Sequence, residues 1–150
     1  MRAAAARLGF RLVDTAVAMQ PDRTHACTDY LYDGEGTFLD LRGAIGRDQD
    51  APHGFWSAGF TTRIELPGAR AEIFSSGEAD PAPRPPGALG FVTAALLRPL
   101  LHRLAPVRPL PIRTPEDLGA VLQRHAALVR ARGGTIVRYE GDVLAQRFAG

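Results

Sequence analysis

The alternation of apolar and polar residues from Trp56 to Leu66 constrains the fold of this chain more than any other feature of its sequence. Trp56, Phe60 and Leu66 occupy even positions, whereas Arg63 and Glu65 occupy odd positions. Because successive side chains of a strand point to opposite faces, this stretch predicts a β-strand with one buried face and one face in solvent. A strand of this kind requires a second layer packed on the apolar face of its sheet.

Further strand signals surround this stretch, and we interpret residues 9–76 as a β-rich half. Asp33-Gly34-Glu35-Gly36 contains two glycines that can adopt the positive φ of a tight loop, so it predicts a hairpin. Pro67-Gly68 suits a second turn. β-Branched and apolar residues that alternate with small or polar ones mark the flanking strands. These predicted strands are 10–19, 24–32, 37–43 and 69–75.

The second half of the chain carries the signals of helices. A stiff, proline-rich connection over residues 80–87 cannot pair in a sheet and separates the two halves. Residues 88–133 then contain an apolar run followed by a helical pattern. The clearest helix begins after Thr114, which can cap it, and ends at Gly133. Residues 135–139 predict a last strand.

Together these elements predict a single α+β domain over residues 1–150, an antiparallel meander sheet of about five or six strands with helices packed on one face. With 150 residues, of which 45% are hydrophobic, the chain can bury one sizeable core. Its basic side chains other than His are all Arg, and it contains neither Lys nor Asn. This usage is typical of a bacterial gene in a GC-rich genome.

The compartment is also predicted from composition. A single Cys cannot close an internal disulfide, and the opening residues do not form a charged and then apolar signal region. Apolar runs stay well short of the ~20 residues that span a bilayer as a helix. We therefore expect a cytoplasmic protein, either free or peripheral to the inner face of the membrane.

Positive charge is concentrated in one segment. Residues 81–115 contain five Arg and no acid, whereas the whole chain has a net charge of +2. Within this interval, segment 88–113 combines apolar and arginine side chains, a composition typical of docking to an anionic membrane surface or a protein partner. Nucleic acid is not favoured, because few aromatic residues are interleaved. The structural alternative is an amphipathic helix that covers the sheet. The predicted binding residues are Phe91, Arg98, His102, Arg103, Arg108 and Arg113, together with Trp56.

His25, Cys27 and Asp29 share one face of a predicted strand. A Cys-dependent hydrolase or transferase would use Cys27 as nucleophile, with His25 or His125 as its base. The trio also has acceptable ligand chemistry for zinc, but the short spacings of strong zinc motifs are absent. A buried, unreactive thiol explains the same residues without catalysis. The sequence therefore predicts no metal site, and a catalytic role only as an alternative.

His125 lies in the middle of the apolar stripe of the helix that begins after Thr114. A hydrogen-bonded histidine between helix and sheet is the simple interpretation. A pocket lined by Trp56, Phe60 and His125 would instead indicate a domain that binds an apolar small molecule.

Several short motifs occur in a fixed order along the chain. They are Leu8-Gly9-Phe10, Arg84-Pro85-Pro86-Gly87, the helical residues Leu122 and His125, and Gly133-Gly134. Over residues 7–134 this arrangement resembles a loosely defined group of uncharacterised bacterial α+β proteins. The resemblance implies the fold class and carries no function.

The functional prediction follows from these observations. GxGxxG, GxSxG and P-loop spacings are absent, so no motif supports nucleotide binding, and no cofactor is predicted. We predict a non-enzymatic cytoplasmic binding or accessory domain that docks through segment 88–113. A Cys-dependent enzyme and an apolar small-molecule-binding domain are the two alternatives.

Overall fold

The computed structural model describes residues 1–19, 25–45, 52–79 and 110–149. Seven strands and three helices lie in these ranges. The strands are β1 (Arg11–Met19), β2 (His25–Tyr32), β3 (Thr37–Ile45), β4 (Pro52–Leu66), β5 (Ala69–Ala79), β6 (Leu110–Ile112) and β7 (Thr135–Ile136). The helices are α1 (Arg2–Arg7), α2 (Pro115–Arg132) and α3 (Val143–Phe148).

One sheet contains all of these strands. β1 to β6 follow each other across the sheet in chain order, antiparallel up to β5, and β6 pairs parallel with β5. β3 begins at Thr37, opposite Thr62, so the residues of β4 beyond Thr62 do not pair with β3. Ile136 of β7 pairs there with Ile64. The predicted α+β class, with an antiparallel meander sheet of about five or six strands, is confirmed.

The turn between β2 and β3 is held by one side chain. Asp33 Oδ1 accepts hydrogen bonds from the backbone N–H groups of Glu35, Gly36 and Thr37 at 2.7, 3.0 and 2.9 Å. Gly36 has a φ of 115°, and a Cβ there would lie 2.7 Å from the carbonyl oxygen of Val137. Glycine is therefore required both by backbone conformation and by close packing.

α2 begins at a strongly capped position. Asp117 Oδ2 accepts hydrogen bonds from the backbone N–H groups of Arg113 and Thr114 at 2.6 and 2.8 Å. These bonds hold the pKa of Asp117 below its usual value. Pro115 starts the helix, and Gly133, with a φ of 70°, ends it. The predicted boundaries of this helix are confirmed.

α1 and α2 pack on one face of the sheet. Ala58, Phe60 and Ile64 of β4 point into this layer and are at most 1% exposed, as the alternation predicts. Burial of such surface contributes roughly 25 cal/mol per Å². The core contains Ala4, Ala5, Phe10, Leu31, Leu39, Leu41, Ala58, Phe60, Ile112, Leu118 and Val121.

The opposite face of the sheet is partly covered as well. Gly59 and Thr61, at odd positions of β4, are buried, because the ring of Phe74 lies over Gly59 and the C-terminal segment that includes α3 packs on Thr61. The prediction that the odd-numbered face lies in solvent is therefore wrong at the centre of β4, although it holds at Glu65. α1 and α2 share the predicted face, whereas α3 lies on the other one. The second cluster contains Tyr32, Phe38 and Tyr139, with Val137, Val143 and Leu144 against them.

β1 is an edge strand, since only β2 pairs with it within the described ranges. The predicted strand at this position is confirmed, but its large apolar side chains do not enter the core. Leu12, Val13, Val17 and Met19 are between 40% and 72% exposed.

Candidate functional site

Asp29 anchors the first helix to the sheet. The Arg2 guanidinium donates from Nε to Oδ2 at 2.6 Å and from Nη2 to Oδ1 at 2.7 Å, and Thr15 Oγ1 donates to Oδ1 at 2.8 Å. Burial alone would raise the pKa of Asp29, but the hydrogen bonds from Arg2 and Thr15 outweigh it and lower that pKa. The carboxylate is therefore ionised and fully engaged inside the fold.

Cys27 lies on the same face of β2 and is buried. Burial, and secondarily the negative charge of Asp29, raise the pKa of its thiol. A raised pKa disfavours the thiolate, which is the reactive form. His25 lies two positions earlier on the same face of β2.

The structure does not bring Cys27 and His125 together. Cys27 pairs with Gly43 of β3, whereas His125 bonds Thr62, which pairs with Thr37 of the same strand. Positions 37 and 43 are about 20 Å apart at roughly 3.3 Å per residue. A direct Cys–His pair requires contact within ~3.2 Å, so His125 cannot activate this thiol.

His125 belongs to a buried polar chain between α2 and the sheet. Its Nε2 lies 2.8 Å from Thr62 Oγ1 and its Nδ1 lies 2.9 Å from Ser75 Oγ. Thr62 in turn lies 3.0 Å from Thr37 Oγ1, and the imidazole packs on Phe60 with centroids 5.9 Å apart. Burial lowers the pKa of His125 to about 4. Both ring nitrogens are thus occupied, and the ring is neutral at pH 7.

Most of the predicted binding residues of segment 88–113 fall outside the described ranges. Phe91, Arg98, His102, Arg103 and Arg108 lie outside the described residues.

Two further members of the predicted set lie inside the described ranges. Trp56 lies in β4, where the backbone alone is described, and Arg113 is exposed beside the start of α2. Within the part of the chain that is described, no group of three or more His, Cys, Asp or Glu side chains could hold a metal ion.

A cleft of about 130 Å³ opens on the second face of the sheet. Three aromatic side chains line it, from Phe38 of β3, from Tyr139, which precedes α3, and from Phe148 of α3. We call this site the aromatic cleft. Phe38 and Tyr139 are buried, and their rings meet edge to face with centroids 5.3 Å apart. Phe148 is 65% exposed and forms the rim.

Two arginines enter the aromatic cleft, and their environments differ. Arg147 binds Asp40 through two hydrogen bonds of 2.6 and 2.9 Å, and its guanidinium carbon lies 4.6 Å from the centroid of Phe38. Arg63 donates from Nη2 to the carbonyl oxygen of Arg147 at 3.3 Å, and the same nitrogen lies 3.9 Å from Glu72 Oε2. Among the described residues, Arg147 is therefore neutralised by Asp40, whereas the acidic neighbour of Arg63 is the more distant Glu72.

Sequence reasoning missed Arg63, Glu72 and Arg147. One signal existed: Asp40 interrupts the apolar strand sequence Phe38-Leu39-Asp40-Leu41, and a carboxylate in such a place needs a partner. That partner is Arg147, 107 residues away, and no local pattern identifies it.

Comparison with protein-family models, curated proteins and solved structures found no match to this chain. The resemblance to bacterial α+β proteins stays a prediction.

Proposed function

We propose that this protein is a non-enzymatic binding domain. The observation that supports it best concerns residues of types that often act as acids or bases in enzymes. His125, Asp29 and Asp40 are all held by hydrogen bonds within the fold. In addition, no described buried side-chain nitrogen or oxygen lacks a hydrogen-bond partner. General acid–base work requires a group with a donor or acceptor available to substrate, and these groups are committed to the fold.

The proposed working surface is the basic apolar segment 88–113, which lies outside the described residues except for 110–113. Support comes from the sequence: five Arg and no acid over residues 81–115. Arginines beside apolar side chains suit an anionic membrane surface, where charge attraction and apolar burial add. None of the described helices is long and apolar enough to span a bilayer. The proposed location is cytoplasmic, at the inner face of the membrane.

Sedimentation with vesicles tests this proposal. The protein is expected to sediment with phosphatidylglycerol vesicles at low salt, less at high salt, and not with phosphatidylcholine vesicles. Replacement of Arg98, Arg103 and Arg108 by Gln together should weaken binding about a hundredfold, at about 1 kcal/mol per basic residue.

A matched control removes the same charge elsewhere. Arg7, Arg42 and Arg132 are exposed in the described structure, and their joint replacement by Gln should preserve most of the binding. Binding that ignores lipid charge, or equal losses in the two triple variants, would overturn the membrane form of the proposal and leave an acidic protein partner as the docking target.

The Cys-dependent hydrolase or transferase is the alternative, and the geometry supports it less. Cys27 is buried with a raised thiol pKa, and His125 is remote from it. Of the two candidate bases, His25 and His125, His25 is the one near Cys27 in β2. The small-molecule alternative stays a prediction, because Phe60 and His125 pack on each other but the side chain of Trp56 lies outside what the structure describes.

A further inference from the structure

We propose that this protein forms a symmetric dimer in which the second half of β1, residues 15–19, pairs antiparallel with the same residues of a second copy. This inference goes beyond the docking function proposed above and uses none of the residues of segment 88–113. It rests on the difference between the two edges of the sheet, on the exposure of β1 and on the sequence Thr15-Ala16-Val17-Ala18-Met19, which can pair with itself.

The two edges of the sheet differ in how well they resist pairing with another chain. Within the described ranges, β6 forms one edge, and it is only three residues long and contains Pro111, which lacks a backbone N–H donor. β1 forms the other edge with nine residues and contains no proline. A long edge strand offers a row of backbone N–H and C=O groups to another strand. Of the two described edges, β1 is therefore the one suited to an added strand.

The second half of β1 is both regular and uncharged. A bulge between Leu12 and Asp14 interrupts the pairing with β2 near the start of the strand, and bulges twist an edge away from other strands. Residues 15–19 pair with β2 without interruption and contain no charged side chain. Val17 is 55% exposed and Met19 is 72% exposed, so pairing would remove apolar surface from water.

An antiparallel pair centred on Val17 matches this segment with itself. Val17 then faces Val17 of the second copy. Met19 faces Thr15 on the same side of the sheet, and on the other side Ala16 faces Ala18. None of these pairs brings like charges opposite each other, which would be destabilising. The small alanine side chains also allow the two strands to approach without a clash.

The geometry favours a closed dimer over an open chain of molecules. A head-to-tail contact would need β1 of one molecule to pair with β6 of the next, and the three residues of β6 with Pro111 disfavour that contact. A contact of β1 with β1 uses the same surface on both copies and therefore closes at two molecules. Five residues on each side form an interface at the small end of the range for specific complexes, so we expect a weak dimer.

Sedimentation velocity, measured from low to high micromolar protein concentration, tests the inference. The sedimentation coefficient should rise from the monomer value towards the dimer value, with a Kd of about 10–100 μM. Val17→Lys and Val17→Glu should each raise this Kd at least about tenfold, because each substitution sets two like charges opposite one another. An equimolar mixture of the two variants should recover the dimer, since opposite charges then face each other.

Phe74→Lys is the matched control, because Phe74 lies on β5 of the same sheet and is 57% exposed, close to the value for Val17. Its Kd should equal that of the wild type. If the Val17 variants prove poorly folded by circular dichroism, hydrogen exchange of the wild type decides the question. Amides within residues 15–19 should exchange more slowly at high than at low protein concentration.

Four results would overturn the inference. They are a wild type that stays monomeric, a Val17→Lys protein that dimerises as strongly as the wild type, a mixture of the two Val17 variants that stays monomeric, and an equal loss of dimer in Phe74→Lys. Slower exchange confined to other strands would overturn it as well. The vesicle experiment can fail without affecting this one.

Discussion

At the scale of single residues, Cys27 shows how burial removes the reactivity of a thiol. Its pKa is raised by desolvation and by Asp29, so we expect iodoacetamide at pH 7.5 to label the folded protein at least about tenfold more slowly than the protein in guanidinium. Mass spectrometry over time measures both rates. A peptide of residues 24–30 provides the rate of an unprotected thiol. Labelling of the folded protein as fast as that peptide would contradict the prediction and favour the Cys-dependent alternative.

His125 gives the fold a specific dependence on pH. Burial lowers its pKa from 6.5 to about 4, against a smaller opposing effect of Asp33. The unfolded chain therefore takes up a proton at a higher pH than the folded chain does. The free energy of unfolding has its full value above pH 6.5 and falls as the pH decreases towards 4. The total loss from this residue is at most roughly 3 kcal/mol.

Urea unfolding at pH 7, 6 and 5 measures this effect in the wild type and in His125→Gln. The variant should be less stable at pH 7 by about 1–3 kcal/mol, because Ser75 and Thr62 lose an ideal partner. Its stability should depend less on pH between 7 and 5. The pKa values of Asp29 and Asp117 lie below 3.8, so these carboxyl groups affect stability at lower pH. Parallel pH profiles for the two proteins would refute the assignment.

The sequence identified some site residues through local patterns and missed others for a physical reason. His125 was visible because a polar residue interrupts an apolar helical stripe. Its partners Thr62 and Ser75 depend on the register of β4 and β5, which no short pattern specifies. Asp40 and Arg147 are even farther apart in the sequence, by 107 residues. The aromatic cleft could not be predicted, because it exists only where the tail meets the sheet.

At the scale of elements, the contact between α2, β6 and β5 depends on a residue without a side chain. A Cβ at Gly77 would lie 2.4 Å from Ile112 Cδ1 and 3.0 Å from Val121 Cγ2. Gly77→Ala would therefore push helix and strand away from β5, and we expect it to lower the free energy of unfolding by about 1–3 kcal/mol.

Gly119 is the matched control, because the same substitution in α2 meets nothing closer than Leu8 Cδ2 at 3.9 Å. Gly119→Ala should raise the free energy of unfolding by about 0.5–1 kcal/mol, since alanine favours a helix over the unfolded chain. Thermal and urea unfolding of both variants measure the two effects. Changes of the same sign would show that packing at β5 is looser than the contacts of Gly77 indicate.

Elements with strong local signals were predicted well from the sequence. The Asp33 turn and the capped start of α2 are fixed by side chains next to the backbone groups that they bind. β7 is shorter than the predicted strand 135–139, because only the end of β4 beyond Thr62 is free to pair with it. The strand propensity of residues 135–139 does not predict how many residues of β4 are left unpaired for β7.

At the scale of the whole molecule, the sheet is covered on both faces, and the two coverings differ in kind. The face under α1 and α2 has an apolar core with His125 inside it. The other face is closed by a short C-terminal segment that packs Tyr139 on Tyr32 and Phe38 and forms the ion pair of Arg147 with Asp40, the last two side chains being 11% and 12% exposed. The tail therefore depends on a buried ion pair as well as on apolar area.

This dependence predicts strong energetic coupling between Arg147 and Asp40. Arg147→Gln should lower the free energy of unfolding by about 3 kcal/mol, because it leaves a buried carboxylate without its partner. The double variant with Asp40→Asn should lose less than the two single losses combined, with a coupling energy of about 1–3 kcal/mol. Urea unfolding monitored by the fluorescence of Trp56, the single tryptophan, and by far-UV circular dichroism measures all four proteins.

The exposed pair of Arg138 with Glu35, both 67% exposed, provides the matched control. Its double-variant cycle should give a coupling of about 0.5 kcal/mol or less, because water screens a surface pair. A coupling at Arg147 as small as this one would mean that the buried ion pair adds little to the stability of the sheet. The packing of Tyr139 on Tyr32 and Phe38 would then be the contact that holds the C-terminal segment on the sheet.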